Sequence, residues 1–150
     1  MNQKDCKFLV CKMIESAGPL LRKSCRQLER GDEKFRIRPD EYFKFPQGHL
    51  LIEYEQTKRP VESISKYWWL LHNTTWLRTR ERIVLVLFLF NDYGNPIRSE
   101  TINTLGCELE KSFPGEFTFF FLPPNDPNEI SESKVRDTIK KALIRVVKHN

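Results

Sequence analysis

The chain has 150 residues, 39% hydrophobic and 12% aromatic, which is enough to bury the core of one ordinary domain. Its 25 Lys and Arg against 20 Asp and Glu leave a formal charge of +5, which fits a polyanionic partner without demanding one. The longest apolar run, IVLVLFLF from Ile83, is far shorter than the roughly 20 residues of a membrane-spanning helix, and Lys, Asp and Glu interrupt the N-terminal stretch, so neither a span nor a cleaved signal is expected.

From Asp5 to about Arg30 the residues mostly favour helix, with Leu20, Leu21, Cys25 and Leu28 spaced to share a face. Gly18-Pro19 predicts two helical pieces meeting there, and Gly31-Asp32 ends the second. Phe35, Ile37, Tyr42, Phe43 and Phe45 mark an extended region, and Pro46-Gln47-Gly48 turns it into HLLIEYE, a β-hairpin. After Arg59-Pro60, VESISKYWWLLHN carries Ile64, Tyr67, Trp68 and Leu71 at helical spacing, with Glu62 and Lys66 one turn apart. The run RIVLVLFLF is β-branched and aromatic and apolar on both faces, which suits a strand in the middle of a sheet, and Asn91 to Pro96 closes it with turn residues. A helix from about Ser99 to Phe113, a strand at EFTFFFL and a helix from about Glu129 to Lys148 complete the chain. A hairpin followed by strands alternating with helices predicts one α/β domain over residues 1–150, a mixed sheet flanked by helices on both faces.

The four cysteines, Cys6, Cys11, Cys25 and Cys107, form no CxxC pair and read as free thiols of a reducing compartment, so a cytoplasmic protein is expected. His49, His72 and His149 lack metal-ligand spacing, and no Gly-rich phosphate loop, GxSxG elbow or HExxH motif is present. The hairpin's carboxylates form a further candidate constellation. Side chains alternate along a strand, so Glu53, Glu55 and Thr57 share one side of HLLIEYE, and an easy hairpin register turns Asp40 towards Glu53. Gathered carboxylates repel unless a cation or proton joins them. Mg²⁺ (or Mn²⁺) suits such a set because it takes a few carboxylates and leaves positions for phosphate and water, while a nearby lysine offsets charge developing on the phosphate. Each element also has a plainer reading: Pro-Asp as an edge-strand stop, Glu-x-Glu as a solvated face, Glu62 with Lys66 as a surface ion pair.

Pro39-Asp40, Glu53, Glu55, Thr57, Lys66 and Tyr67, in this order and spacing, resemble the PD-(D/E)xK, or restriction endonuclease-like, nuclease superfamily. The likeness is greatest to replication-relaxation-type proteins of plasmids and mobile elements, in which the strand lysine has moved to the next helix. The resemblance implies catalytic and metal-binding roles for Asp40, Glu53 and Glu55, although Glu55 stands where the family usually has lysine. It implies Lys66 as the displaced lysine, with Lys58 as the alternative, and a supporting glutamate from the first helix, Glu29 or Glu15. DNA is the implied partner and no membrane is, with Arg36, Arg38, Lys44, Lys58, Arg59 and Tyr67 as DNA-binding residues. A small nuclease domain cuts both strands with a second subunit, which implies a homodimer or a partner protein. A non-catalytic DNA-binding or scaffold protein of the same fold is the rival reading, and an unrelated α/β interaction domain a third.

RTRER at residues 78–82 could likewise track phosphates. The last helix carries Lys134, Arg136, Lys140, Lys141, Arg145 and Lys148 around a stripe of Val135, Ile139, Leu143 and Val146, a second basic face. Trp68, Trp69 and Trp76 could stack on bases, but adjacent tryptophans on an amphipathic helix are expected in the core.

Overall fold

The computed structural model describes residues 1–19, 21–24, 29–30, 33–34, 37–56, 61–73, 81–126 and 129–148; for 21–24, 29–30 and 33–34 the description is of backbone alone. In chain order the elements are α1 (Gln3–Glu15), β1 (Leu21–Ser24), β2 (Glu29–Arg30), β3 (Glu33–Lys34), β4 (Glu41–Phe45), β5 (Gly48–Glu55), α2 (Val61–Asn73), β6 (Arg82–Leu89), α3 (Pro96–Ser112), β7 (Phe117–Leu122) and α4 (Glu132–Val147). A five-stranded sheet has the order β1-β4-β5-β6-β7, while β2 and β3 pair separately. The pairs β1/β4 and β4/β5 are antiparallel; β5/β6 and β6/β7 are parallel.

The run from Ile83 shows why the sheet has two covers. Its alternate residues Val84, Val86 and Phe88 pack with Val10 and Ile14 of α1 and Val135 and Ile139 of α4. Ile83, Leu85, Leu87 and Leu89 pack with Ile64, Tyr67 and Leu70 of α2 and Ile102 and Leu109 of α3. Parallel neighbours joined through helices require such double burial, and a strand apolar on both faces supplies it. Asn95 caps α3 by accepting from the Ile97 N–H at 3.1 Å, with Pro96 in the first turn, so this helix begins three residues before Ser99. At the start of the chain, Asn2 accepts from the Asp5 N–H at 3.0 Å and caps α1.

At the sheet edge, the Phe119 N–H of β7 donates to the Glu110 carboxylate of α3 at 3.2 Å. One turn earlier on α3, Gly106 lies flat on the Phe119 ring: a Cβ there would stand 2.0 Å from a ring carbon.

The segment after Gly18-Pro19 departs from expectation. No helix runs to Arg30; β1 occupies residues 21–24, with Leu21 opposite Lys44 and Ser24 opposite Glu41. The open edge of β4 offers a ladder, and that pairing overrides the local helical preference of LRKS. Leu20, Cys25 and Leu28 lie outside the described residues, as do Phe35, Arg36, Thr57, Lys58, Arg59, Trp76, the Arg78–Arg80 part of the basic run and His149. Among the described residues Cys6, Cys11 and Cys107 are free thiols, and burial pushes the Cys6 thiol up to about 12. No described helix is long and apolar enough to cross a membrane.

Candidate active site

Pro39 has no N–H to give a ladder, so β4 begins after it and the Asp40 side chain takes over the pairing: Oδ2 accepts from the Tyr54 N–H at 2.8 Å. The β4/β5 register sets Glu41 opposite Ile52, and one step further places Asp40 opposite Glu53. Ile52 and Tyr54 belong to the α1/α4 side, whereas Glu53 and Glu55 turn to α2, as the alternation of a strand dictates.

The opening turns of α2 meet them. Lys66 Nζ lies 2.5 Å from Glu53 Oε1 and donates to the Arg38 carbonyl at 3.4 Å, bridging the second acidic strand to the segment that carries Asp40. The Tyr67 hydroxyl donates to Glu53, and the Ser63 hydroxyl donates to Glu55. Ser63, Lys66 and Tyr67 stand at i, i+3 and i+4, the spacing that presents three side chains to one side of a helix. Lys66 thus serves Glu53, a buried carboxylate.

Glu53 is only 4% exposed. Burial pushes its carboxyl up to about 7; Lys66 and the Tyr67 hydroxyl hold it back, and the neighbouring charge of Asp40 adds to the rise. Burial next to Glu53 raises the Tyr67 phenol well above its ordinary value. A carboxylate kept from water beside a like charge is stabilised by a cation, and Asp40 and Glu53 offer the hard oxygen donors that Mg²⁺ prefers. Among the described residues no three His, Cys, Asp or Glu side chains group to hold an ion.

Several expected residues stand elsewhere. Tyr67 is fully buried, so its hydroxyl positions Glu53 and cannot reach DNA. Lys44 lies at the far end of β4, opposite His49 and Leu21, because a strand rises about 3.3 Å per residue away from Asp40. From the basic run, Arg82 donates to the carbonyls of Arg145 (3.2 Å) and Lys148 (3.1 Å) at the end of α4, and Glu81 bonds to His49 at 2.5 Å. Trp68 and Trp69 are each 52% exposed rather than core, since Tyr67, Leu70 and Leu71 fill the buried side of α2; Trp68 stacks on His72 with centroids 3.9 Å apart. Arg38 is exposed beside Lys66, and the backbone of Glu29 lies in β2.

Two residues near the site had no sequence signal of their own. Ser63 reads as an ordinary first-turn helix residue. Tyr93 adopts φ 56° in the loop after β6, supported by Asn91 Oδ1, and its hydroxyl donates to the Gln56 carbonyl at 2.8 Å just beyond Glu55.

No family model matches the chain, and no curated protein matches it. Among solved structures, SfsA of Pyrococcus furiosus in complex with Ca²⁺ is similar at 14% identity and a TM-score of 0.35, over 82% of this chain and 57% of that one.

Proposed function

We propose that the chain is a Mg²⁺- or Mn²⁺-dependent nuclease-fold domain that hydrolyses phosphodiester bonds of DNA, the plasmid or mobile-element context being what its motifs imply. The observation that supports this reading is the meeting of Asp40, Glu53 and Lys66 where β4 begins, β5 ends and α2 turns back.

Asp40 and Glu53 would hold the cation, whose chemistry when bound is to polarise a phosphate oxygen and lower the pKa of water. The Tyr67 hydroxyl fixes the Glu53 carboxylate, an outer contact that orients the donor. Ser63 holds Glu55 two residues further along the strand, outside the pair. Lys66 reaches both Glu53 and the Arg38 carbonyl, so its ammonium would meet a phosphate held by a cation on the acid pair and offset charge developing there. Arg38, with Arg36, Lys58 and Arg59, would track neighbouring phosphates, and Glu29 would support the cation site.

The second reading is a non-catalytic nuclease-fold protein that binds DNA or serves as a scaffold. It is favoured by the engagement of Glu53 with Lys66 and Tyr67 and by Glu55 at the position of the family lysine. Plasmid nicking with Mg²⁺ or Mn²⁺ separates the two. Cleavage that is lost in Asp40→Ala and Glu53→Gln supports the enzyme. Equal cleavage by Asp40→Ala exposes a contaminating nuclease, and DNA binding without cleavage establishes the second reading.

A further inference from the structure

Arg98 stands in the first turn of α3, which carries no acidic residue and where the helix dipole disfavours a cation. Its Nη1 is shut off from water without a hydrogen-bond partner among the described residues, a costly state for a charged donor. The residue as a whole is partly exposed, so an anion can reach the guanidinium. Its Cζ lies 5.1 Å from the ring centroid of Tyr93, within the range at which an aromatic face attracts a cation.

Tyr93 in turn is tied to the acidic strand. Its hydroxyl donates to the Gln56 carbonyl at 2.8 Å, just beyond Glu55, and its N–H donates to Asn91 Oδ1 at 2.7 Å. In the sheet order β5 lies between β4 and β6. Arg38 and Asp40 precede β4, and Lys66 leans to that side through the Arg38 carbonyl, whereas the loop bearing Tyr93 follows β6. The acid pair therefore has cations on both flanks: Arg38 and Lys66 towards β4, Arg98 towards β6. The loop and the start of α3 also lie at the carboxyl ends of the parallel strands β5 and β6, the end at which open α/β sheets take their ligands.

We infer that Arg98, steadied on the Tyr93 ring, receives a backbone phosphate on the β6 side of the acid pair, so that a DNA strand crosses the sheet end from Arg38 past Lys66 to Arg98. This rests on the nuclease-fold reading and adds a contact on the flank where that reading has none. The ligand is a phosphate because a strand with one phosphate at the acid pair carries the next ones along the same backbone. A planar guanidinium takes two phosphate oxygens at once, and a small turn of the side chain brings the unpaired Nη1 into that fork. Arg98 is a positioning residue, acting on the strand away from the bond that breaks.

Fluorescence anisotropy of the whole chain with a short duplex and with one of its strands, in chelator from about 50 to about 200 mM salt, tests it. Arg98→Gln should lower the slope of log affinity against log salt by about 0.9 on the duplex or about 0.7 on the single strand, the loss of one phosphate contact. Its affinity should fall about tenfold at the lowest salt. Arg98→Lys should keep the wild-type slope, since the charge remains, while binding more weakly for want of the fork. The melting temperature of Arg98→Gln should equal or exceed that of the wild type, because the change removes an unpaired donor and a cation from the helix start. A weaker affinity at unchanged slope with a lower melting temperature marks a structural role and overturns the inference. Arg98→Gln binding with the wild-type slope and affinity also overturns it, and the nuclease reading then stands if the wild type nicks plasmid with Mg²⁺. A wild type that neither binds nor nicks DNA overturns both.

Discussion

Replacing Glu53 with Gln removes a buried charge while keeping an amide oxygen for the Tyr67 hydroxyl, and without a divalent cation the fold should gain by it. Burial lifts the Glu53 carboxyl from 4.5 to about 7, with Lys66 and Tyr67 opposing and Asp40 reinforcing the rise. Between those two values the folded chain holds a proton that the unfolded chain has released. The stability this group contributes is therefore fully present below about 4.5 and lost as pH rises through about 7. At about 1.4 kcal/mol per pH unit, the loss amounts to roughly 3 kcal/mol by about pH 8. Lys66, with 29% of its side chain exposed, can turn towards water when its partner goes, which leaves a net gain of about 1–3 kcal/mol for the variant. Urea unfolding in chelator should show that gain at about pH 8 and see it shrink towards pH 4.5. Added Mg²⁺ should then stabilise the wild type and leave the variant unmoved, because only a state that binds the ion is stabilised by it. If Glu53→Gln unfolds more easily than the wild type at about pH 8 in chelator, the Lys66 pairing outweighs the burial and the reasoning fails.

In Gly106→Ala, a Cβ 2.0, 2.1 and 2.6 Å from three Phe119 ring atoms forces the ring aside. The loss of about 1–3 kcal/mol or more should exceed the roughly 1 kcal/mol of helix propensity gained, and a variant as stable as the wild type in urea would contradict it. His49 is wholly buried, bonded to the Tyr42 hydroxyl at 2.8 Å and to Glu81 at 2.5 Å, and burial lowers its pKa below 6.5 against the pull of Glu81 and with a push from Lys44. Its stability contribution is present above 6.5 and lost as pH falls through its depressed folded value, so His49→Gln should flatten the acid side of a melting-temperature profile; an unaltered slope there counts against this assignment. Glu110→Ala leaves the Phe119 N–H without its carboxylate, which should cost about 1–3 kcal/mol and raise light scattering on refolding; clear solutions at equal stability would show that the contact is dispensable.

Periodicity made much of the fold legible. Period two with both parities apolar marked β6 as a central strand, and the helical spacing of Ile64, Tyr67 and Leu71 marked α2 with the bounds it has, Val61–Asn73. LRKS was opaque because its state depends on the unpaired edge of β4, a partner some twenty residues away that no local window contains. At the candidate site, alternation showed that Glu53 and Glu55 share a side, and the hairpin register put Asp40 beside Glu53. The hydroxyls of Ser63 and Tyr67 were harder to read, since which acid each helix residue meets depends on how α2 turns back over β5. Trp68 and Trp69 misled because size suggests burial, whereas the rotation of α2, set by Tyr67, Leu70 and Leu71, leaves both half outside.

Strand β7 gives the chain a problem of timing. FTFFFL combines high β propensity with no charge and no Pro or Gly, the composition that stacks readily with copies of itself. Both protections of Phe119, the backbone of Gly106 against its ring and the carboxylate of Glu110 at its N–H, come from α3. One docking event therefore closes the face and the edge together, and until α3 has landed the strand is a template open on both counts. Crowding of nascent or refolding chains is then expected to lower the share of protein that becomes native.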